Sequence, residues 1–145
     1  MRLRLDIVTA ERNVYSEDVD MVTAPGIEGE LGVLPRHAPL MTALQPGELR
    51  IRKGDQVEFF AVGGGFLEVR PDRVIVLADS AEHVDEIDIE RAEAARQRAE
   101  KMLKEGVPEA QLRAIEGALK RSRVRLRVAR RRRRRRADVS RTSSE

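Results

Sequence analysis

The chain runs through Val74-Ile-Val-Leu-Ala-Asp79 and, after an interval of seven residues, enters Ile87-Asp-Ile-Glu-Arg-Ala92. The first stretch is a compact apolar run, which is typical of a buried strand. The second opens a region composed mainly of Ala, Glu, Arg, Lys and Leu, all of which favour helices. The change near Ala81 therefore predicts two modules, a β domain over residues 1–85 and a helical region over residues 86–136.

The two halves of the chain also differ in charge. Residues 1–85 contain nine Lys or Arg and fifteen Asp or Glu, whereas residues 86–145 contain nineteen and ten. Their net charges are therefore −6 and +9, although the whole chain carries only +3. Such an asymmetry indicates that each half has its own partners.

Short strands separated by turn residues account for the first module. Leu3, Leu5 and Ile7 fall on one side of an extended segment and their polar neighbours on the other, as in a strand with one buried face. The segments between strands are rich in Gly and Pro. Further strands are predicted at Val19–Thr23, Glu48–Arg52, Val57–Val62, Phe66–Arg70 and Val74–Ala78. We therefore expect an antiparallel sandwich or barrel.

The first module offers little support for catalysis or metal binding. The triple glycine Gly63–Gly65 lacks the G-x-G-x-x-G spacing of a dinucleotide loop, and we interpret it as a bulge or a close approach between strands. His37 has no Ser, Cys or paired carboxylate placed to work with it, so we expect structural or interface hydrogen bonds. The chain has no cysteine, and its two histidines are too few for a zinc cluster.

Two helices are predicted in the second module. Asp85 or Asp88 can cap the first helix, whose apolar positions recur at helical spacing through Lys104. Gly106-Val107-Pro108 ends it and starts the second helix, so the two helices should form an antiparallel hairpin. Their apolar stripes are mostly alanine, which buries little area. We expect a weakly held hairpin, followed by a disordered tail over residues 137–145.

Three segments resemble a known family. These are Glu28-Gly-Glu-Leu-Gly-Val-Leu-Pro-Arg-His-Ala-Pro-Leu40, Gly63-Gly-Gly-Phe-Leu-Glu-Val-Arg70 and Val74-Ile-Val-Leu-Ala-Asp79. Together they closely resemble the epsilon subunit of bacterial F-type ATP synthases, from about Leu3 to about Val128. The resemblance implies an α+β fold, with an antiparallel β-sandwich of about ten strands followed by a two-helix hairpin. It also implies a non-catalytic subunit of the central stalk of the proton-translocating enzyme.

The resemblance further implies partners and a location. The sandwich would bind the gamma subunit and rest on the c-ring, and the second helix would meet the catalytic beta subunits, with alpha nearby. The protein would be peripheral to the cytoplasmic face of the bacterial plasma membrane and would require no cofactor. The residues matching the loop that faces the c-ring are Gly29, Glu30, Leu31, Gly32 and His37. The basic positions expected to meet beta are Lys120, Arg121, Arg123, Arg125 and Arg127.

A regulatory ATP site is implied in the same way. Ile87-Asp-Ile-Glu-Arg-Ala92 matches a family motif that binds ATP in some bacterial members. The corresponding residues here are Glu82, Ile87, Asp88, Arg91, Ala92, Arg98, Arg121 and Arg125. ATP would hold the hairpin closed, and its loss would release a helix that blocks hydrolysis. Spacing alone leaves an alternative open, namely solvated arginines paired with Glu90, Glu93 or Glu100.

The run Arg130–Arg136 departs from the usual family ending, which is much less basic. It could lengthen the second helix and strengthen its grip on acidic surfaces of beta. It could equally contact anionic lipid or nucleic acid through phosphates. The aromatic residues expected for single-strand binding are missing, because all three Phe and the one Tyr precede residue 67. A free protein that binds nucleic acid or a membrane surface is therefore the alternative function, and we expect no nucleic-acid partner.

Overall fold

The chain divides into two units, Met1–His83 and Val84–Glu145, in its computed structural model. The structure describes the backbone of residues 2–143 and the side chains of residues 2–131. The division falls after His83, close to the composition change at Ala81.

The described residues of the first unit form eight strands. They are β1 (Leu3–Val8), β2 (Asn13–Val19), β3 (Met21–Gly26), β4 (Gly29–Val33), β5 (Leu40–Lys53), β6 (Gln56–Val69), β7 (Arg73–Ala78) and β8 (Ala81–His83). Their hydrogen-bonded order is β2-β1-β7-β6-β5-β3-β4, and β8 pairs with β6. All pairs are antiparallel except β1 with β7, which are parallel. That parallel pair joins strands far apart in the chain, so local alternation did not reveal it.

The sandwich arises because β5 and β6 are long and take part in both layers. The first half of β5 pairs with the second half of β6, which continues to β7 and then β1. The second half of β5 pairs with β3, whose last residue Gly26 also lies opposite Leu44 of the first half, and the first half of β6 pairs with β8. The halves meet at Pro46-Gly47 in β5 and at Gly63–Gly65 in β6. If the halves are counted separately there are ten strands, which confirms the predicted sandwich of about ten.

Alternation along the strands builds the core between the layers. Leu3, Leu5 and Ile7 of β1 are buried, while Arg4 and Asp6 between them are partly exposed. The largest fully buried side chains elsewhere in the core are Val19, Val22, Val33, Leu49, Ile51, Phe60, Val62, Leu67, Val74 and Val76. Burial of such side chains stabilises a fold by about 1.5–3 kcal/mol each. The predicted face of β1 is therefore confirmed.

Three strands were missed by the sequence pattern. β2 is largely polar and has only Val19 fully buried, and β4 contains two glycines. Both lie at the ends of the strand order, where one edge has no neighbour and fewer apolar residues are needed. β8 is only three residues long. The predicted strand Val19–Thr23 also spans a break, because β2 ends at Val19 and β3 starts at Met21.

The triple glycine allows close approach of β6 and β7, as predicted. Gly64 and Gly65 have φ angles of +108° and +133°, which side chains rarely adopt. A Cβ added at Gly65 would collide with the carbonyl oxygen of Leu77 and lie 2.9 Å from the Cα of Ala78. The absence of a side chain is therefore required for β7 to pair at this point.

The second unit begins with a 3₁₀ turn at Val84–Glu86, followed by α1 (Ile89–Glu105) and α2 (Glu109–Ser143). The carboxylate of Asp88 accepts a hydrogen bond of 3.1 Å from the backbone N–H of Arg91 and caps α1. Gly106 ends α1 with a φ of +87°. The predicted end of the first helix at Gly106 is confirmed, and of the two predicted capping residues, Asp85 and Asp88, the structure selects Asp88. Within the described residues, neither helix is long and apolar enough to cross a membrane.

The end of α2 differs from the prediction. The sequence favours disorder over residues 137–145, whereas the helical backbone continues to Ser143. The helix continues into this segment from the preceding run Arg130–Arg136, because Arg has high helix propensity and repulsion between like charges costs only a few tenths of a kcal/mol per pair. The last two residues, 144 and 145, lie outside the described part of the chain.

We expect Gly65→Ala to lower the free energy of unfolding by about 3 kcal/mol or more, because the added methyl group meets backbone atoms that cannot move without breaking the sheet. Gly54→Ala is the matched control, since Gly54 also has positive φ but has open space around it. The control should lose only roughly 1–2 kcal/mol. Urea unfolding followed by circular dichroism measures both, and equal losses would contradict the steric explanation.

Candidate functional site

The helical hairpin is held by a narrow apolar seam. On α1 the buried residues are Ala92 and Ala99, in agreement with the predicted alanine stripe. On α2 the buried residues include Leu119, Ser122 and Leu126, and the Ser122 hydroxyl donates to the carbonyl of Ala118 at 2.9 Å. Because an alanine methyl group buries little area, the α1 side of the seam contributes little stability, and most of the buried apolar area comes from the leucines of α2.

A ladder of ion pairs runs along one flank of this seam. Arg96 contacts Glu93 and, at 2.9 Å, Glu100 on the same helix. Across the hairpin, Arg123 lies 3.4 Å from Glu100 and Arg130 lies 3.0 Å from Glu93. These two cross-helix pairs set the register of the antiparallel helices. We call these five residues the clasp.

The ion pairs of the clasp shift the pKa values of two of its members, Glu93 and Arg96. The hydrogen bond from Arg96 lowers the pKa of Glu93 below its ordinary value, and Arg130 acts in the same direction. The hydrogen bond to Glu93 raises the pKa of Arg96. Both shifts favour the charged forms, so the clasp is an electrostatic contact that depends on pH and salt.

Several of the predicted ATP-site residues have structural roles at the start of α1. Asp88 is the N-cap, and its carbonyl accepts from the N–H of Ala92 at 3.0 Å. Ala92 is fully buried. The N–H of Ile87 donates to the carbonyl of Val84 at 3.3 Å. The family motif therefore also matches the local requirements of a capped, buried helix start.

The four predicted site arginines lie on the flank of the hairpin away from the clasp. Arg91 and Glu100 are nine residues apart on α1, about two and a half turns, so their side chains leave opposite sides of the helix. Arg121 and Arg130 have the same separation on α2. Glu93 and Glu100 pair with the clasp arginines, and within the described residues no carboxylate pairs with Arg91, Arg98 or Arg121.

The helix register brings two of these four arginines to one level. Glu100 lies opposite Arg123, and the two helices run antiparallel. Arg98, two residues before Glu100, therefore lies at the same level as Arg125, two residues after Arg123. Arg121 lies one turn away from that level, and Arg91 lies seven residues, or about 10 Å, in the other direction. The set therefore forms a row that an elongated ligand would have to follow. Glu82 belongs to the first unit, where it lies on β8 and pairs with Ala61.

The residues predicted to face the c-ring lie on β4 and in the loop after it. Gly29, Glu30 and Gly32 are exposed, and Leu31 packs partly against the core. Glu30 forms an ion pair with Arg50 of β5. The Nδ1 atom of His37 lies 2.7 Å from the carbonyl oxygen of Ala38, which is a local structural contact.

The basic positions predicted to meet beta lie on α2. Lys120, Arg121, Arg123 and Arg127 are exposed, and Arg125 is partly buried. Arg123 is also a member of the clasp. A contact between Arg123 and a partner would therefore compete with Glu100 for the same guanidinium.

Family comparison identifies both units. Residues 2–84 match the family described as "ATP synthase, Delta/Epsilon chain, beta-sandwich domain", and residues 85–130 match "ATP synthase, Delta/Epsilon chain, long alpha-helix domain". The chain belongs to this family. The predicted membership of the epsilon-chain family, and with it the assignment as a non-catalytic subunit of ATP synthase, is confirmed. A free nucleic-acid-binding or membrane-surface protein is not needed to explain the chain.

Similar proteins span nearly the whole chain. The ATP synthase epsilon chain of Dehalococcoides mccartyi is 60% identical over 129 residues, covering 88% of this chain and 92% of the relative. That of Herpetosiphon aurantiacus is 53% identical over 130 residues, covering 90% and 96%. A chain in the Euglena gracilis mitochondrial ATP synthase structure (OSCP/F1/c-ring) has 27% identity and a TM-score of 0.72, covering 82% of this chain and 76% of that one.

One surface was missed by the sequence analysis. Val8, Leu77, Phe66 and Ala43 face one another across β1, β7, β6 and β5. They occupy the positions that alternate with buried ones, and Phe66 and Leu77 expose 58% and 53% of their surface. We call these four residues the apolar row. The sequence did contain a signal for this surface, because the residues of β7 from Val74 to Ala78 are all apolar. A strand with only one buried face needs an apolar residue at every second position.

We expect acid to open the hairpin through Glu93. Because its pKa is lowered in the folded state, Glu93 stabilises the closed hairpin above the ordinary glutamate value of about 4.3. That contribution is lost as pH falls through the lower folded value. Spin labels on cysteines introduced at the exposed positions Gln97 and Lys120 would report longer distances in acid.

Glu93→Gln should lengthen part of the distance distribution already at neutral pH and should weaken its pH dependence. Glu116→Gln, an exposed glutamate of α2 outside the clasp, is the control. High salt should reduce the difference between the two variants. The clasp would have no part in closure if both variants behaved alike at low salt.

Proposed function

We propose that this epsilon-family subunit works in the rotor of a bacterial proton-translocating ATP synthase, where its sandwich binds the gamma subunit and the c-ring and its hairpin restrains ATP hydrolysis. The observation that carries the proposal is the combination of a rigid sheet with an exposed apolar row and a separate, weakly closed basic hairpin. The rigid sheet suits permanent attachment to a partner, and the weakly closed hairpin suits reversible opening and closing.

The apolar row supports attachment to gamma. Its four residues lie on adjacent strands, and with about 4.8 Å between strands they extend over about 14 Å. Met41, on the same outward side of β5, exposes 70% of its surface. Contiguous apolar surface of this kind on a soluble domain marks a protein interface. The row sits on paired strands of the sandwich, so it is rigid before the partner arrives.

The c-ring would meet a different part of the sandwich, formed by Gly29 to Gly32 and His37. Glu30 and Arg50 supply paired charges there, and the glycines leave the backbone of β4 open to a neighbouring chain. Through gamma and the c-ring, the protein would be held at the cytoplasmic face of the plasma membrane as a peripheral component.

Regulation by ATP follows from the weakness of the closed hairpin. The α1 side of the seam relies on alanines, and exposed ion pairs such as those of the clasp contribute about 0–1 kcal/mol each. A ligand that binds only the closed form adds ~2.7 kcal/mol at one hundred times its dissociation constant, which is enough to reverse such an equilibrium. ATP along the row of Arg91, Arg98, Arg125 and Arg121 would act in this way, with Asp88 toward the nucleoside.

Opening of the hairpin would release α2 to act as an inhibitor. Its basic residues from Lys120 to Arg127 would then meet acidic surface on the catalytic beta subunits and oppose rotation in the hydrolytic direction. Attraction between a basic helix and an acidic surface weakens with salt. The run from Arg130 to Arg136 would extend the same basic surface.

We expect Phe66→Ser to weaken binding to gamma by about tenfold or more, because it removes a large exposed apolar side chain from the centre of the row. Leu34→Ser is the control, since Leu34 exposes 50% of its surface in the loop after β4, outside the row. Binding to purified gamma measures both, with circular dichroism confirming folding. Equal weakening by the two variants would argue against the row as the interface.

Removal of residues 86–145 should raise ATP hydrolysis by the assembled complex while leaving assembly intact. In the full-length chain, Arg91→Ala should shift relief of inhibition to higher ATP concentration, because the closed hairpin loses a phosphate contact. ATP binding to the isolated chain, compared with Arg91→Ala and Arg125→Ala, locates the site. Tight binding unaffected by either substitution would sink the proposed ATP site.

A further inference from the structure

A groove opens on the clasp flank of the hairpin, opposite the proposed ATP row. Its volume is about 640 Å³, within the range of small-ligand sites. Both helices contribute to its walls, and all of its lining belongs to the second unit. The lining residues are Arg96, Glu100, Arg123, Leu126, Arg127, Arg130 and Arg131.

Positive charge in the groove exceeds the negative charge available to balance it. Leaving aside Arg131, which has an interaction partner of its own, four arginines line it against Glu100, and among the described residues Glu93 beside it adds only a second carboxylate. Glu100 is shared between Arg96 and Arg123, and Glu93 between Arg96 and Arg130. In the described part of the chain no carboxylate pairs with Arg127. The groove therefore has positive charge that a bound anion would balance.

We propose that this groove binds an oligophosphate, either a free inorganic chain or the triphosphate of a nucleotide. Arg123, Arg127 and Arg130 follow one another at intervals of four and three residues, so they present guanidiniums along about 10 Å of α2. A chain of adjacent phosphates matches such a row, and guanidinium groups bind phosphate through two parallel hydrogen bonds.

Other polyanions fit the groove less well. The helical unit contains no aromatic residue, so the stacking that retains single-stranded nucleic acid is missing. An acidic peptide carries its charges on flexible side chains and loses more entropy on binding than a compact phosphate chain. Both remain distinguishable by experiment.

Occupation of the groove has a defined consequence for the hairpin. Arg96 comes from α1 and the other four arginines from α2, so a bound oligophosphate links the helices and favours the closed form. It also engages Arg123 and Arg127, which are then unavailable to any other partner. This second anion site stands on the clasp flank and does not depend on the ATP site proposed above.

The test uses the full-length chain with Arg132 to Arg136 changed to glutamine, so that this run does not bind the probes. Inorganic tripolyphosphate, ATP and a short polyglutamate are titrated by calorimetry. Arg127→Gln removes a groove arginine that holds no clasp pair, and Arg113→Gln removes an exposed arginine of α2 outside the groove. Arg91→Ala reports on the other flank, and spin labels at positions 97 and 120 report closure.

We expect tripolyphosphate to bind and close the hairpin, Arg127→Gln to weaken this binding roughly tenfold, and Arg113→Gln and Arg91→Ala to change it less than twofold. If Arg127→Gln weakens ATP binding by a similar factor, the groove binds the phosphate chain both of inorganic tripolyphosphate and of a nucleotide. In the Arg91→Ala background, which weakens the ATP row on the other flank, binding of ATP that is stronger than that of tripolyphosphate and is lost in Arg127→Gln would identify the nucleotide as the source.

Three results would overturn the proposal. The first is the absence of tripolyphosphate binding. The second is equal weakening by Arg127→Gln and Arg113→Gln, which would mean diffuse attraction to the helix. The third is polyglutamate binding as tight as that of tripolyphosphate, which would assign the groove to an acidic peptide.

Discussion

The continuous pairing of β5 with β6 is the constraint on which the sandwich depends. The two strands are hydrogen-bonded from Leu40 opposite Val69 to Lys53 opposite Gln56. Along each strand the other pairing partners change midway, near Pro46-Gly47 and Gly63–Gly65, so one hairpin supplies strands to both layers. β3, β7 and β8 pair directly with this hairpin, and β1, β2 and β4 are joined to it through β7 or β3. Loss of the β5–β6 pairing would separate the faces that form the core.

The two units are stabilised in opposite ways, and the difference suits a fixed platform and a reversible arm. The sandwich buries many large aliphatic side chains and Phe60. The hairpin buries mainly alanines on α1 and adds exposed ion pairs, whose strength varies with pH and salt. Local opening of the hairpin therefore needs less free energy than opening of the sandwich.

Arginine has two distinct functions on the hairpin, depending on which flank it occupies. On one flank Arg96, Arg123 and Arg130 neutralise glutamates and connect the helices. On the other flank Arg91 and Arg98 have no such partners among the described residues. Sequence spacing showed that Arg91 and Arg98 share a face. It left open whether Glu93 and Glu100 neutralise them, and the structure assigns both glutamates to the clasp.

Local chemistry was enough to narrow the helix start to Asp85 or Asp88 and to determine its end at Gly106 and the buried face of β1, because capping, positive φ and alternation act within a few residues. The family resemblance likewise lay in contiguous segments. Tertiary structure alone decided that Phe66 and Leu77 meet in an exposed row and that Glu100 faces Arg123. Those contacts depend on the register between distant segments, which the periodicity of one segment does not contain.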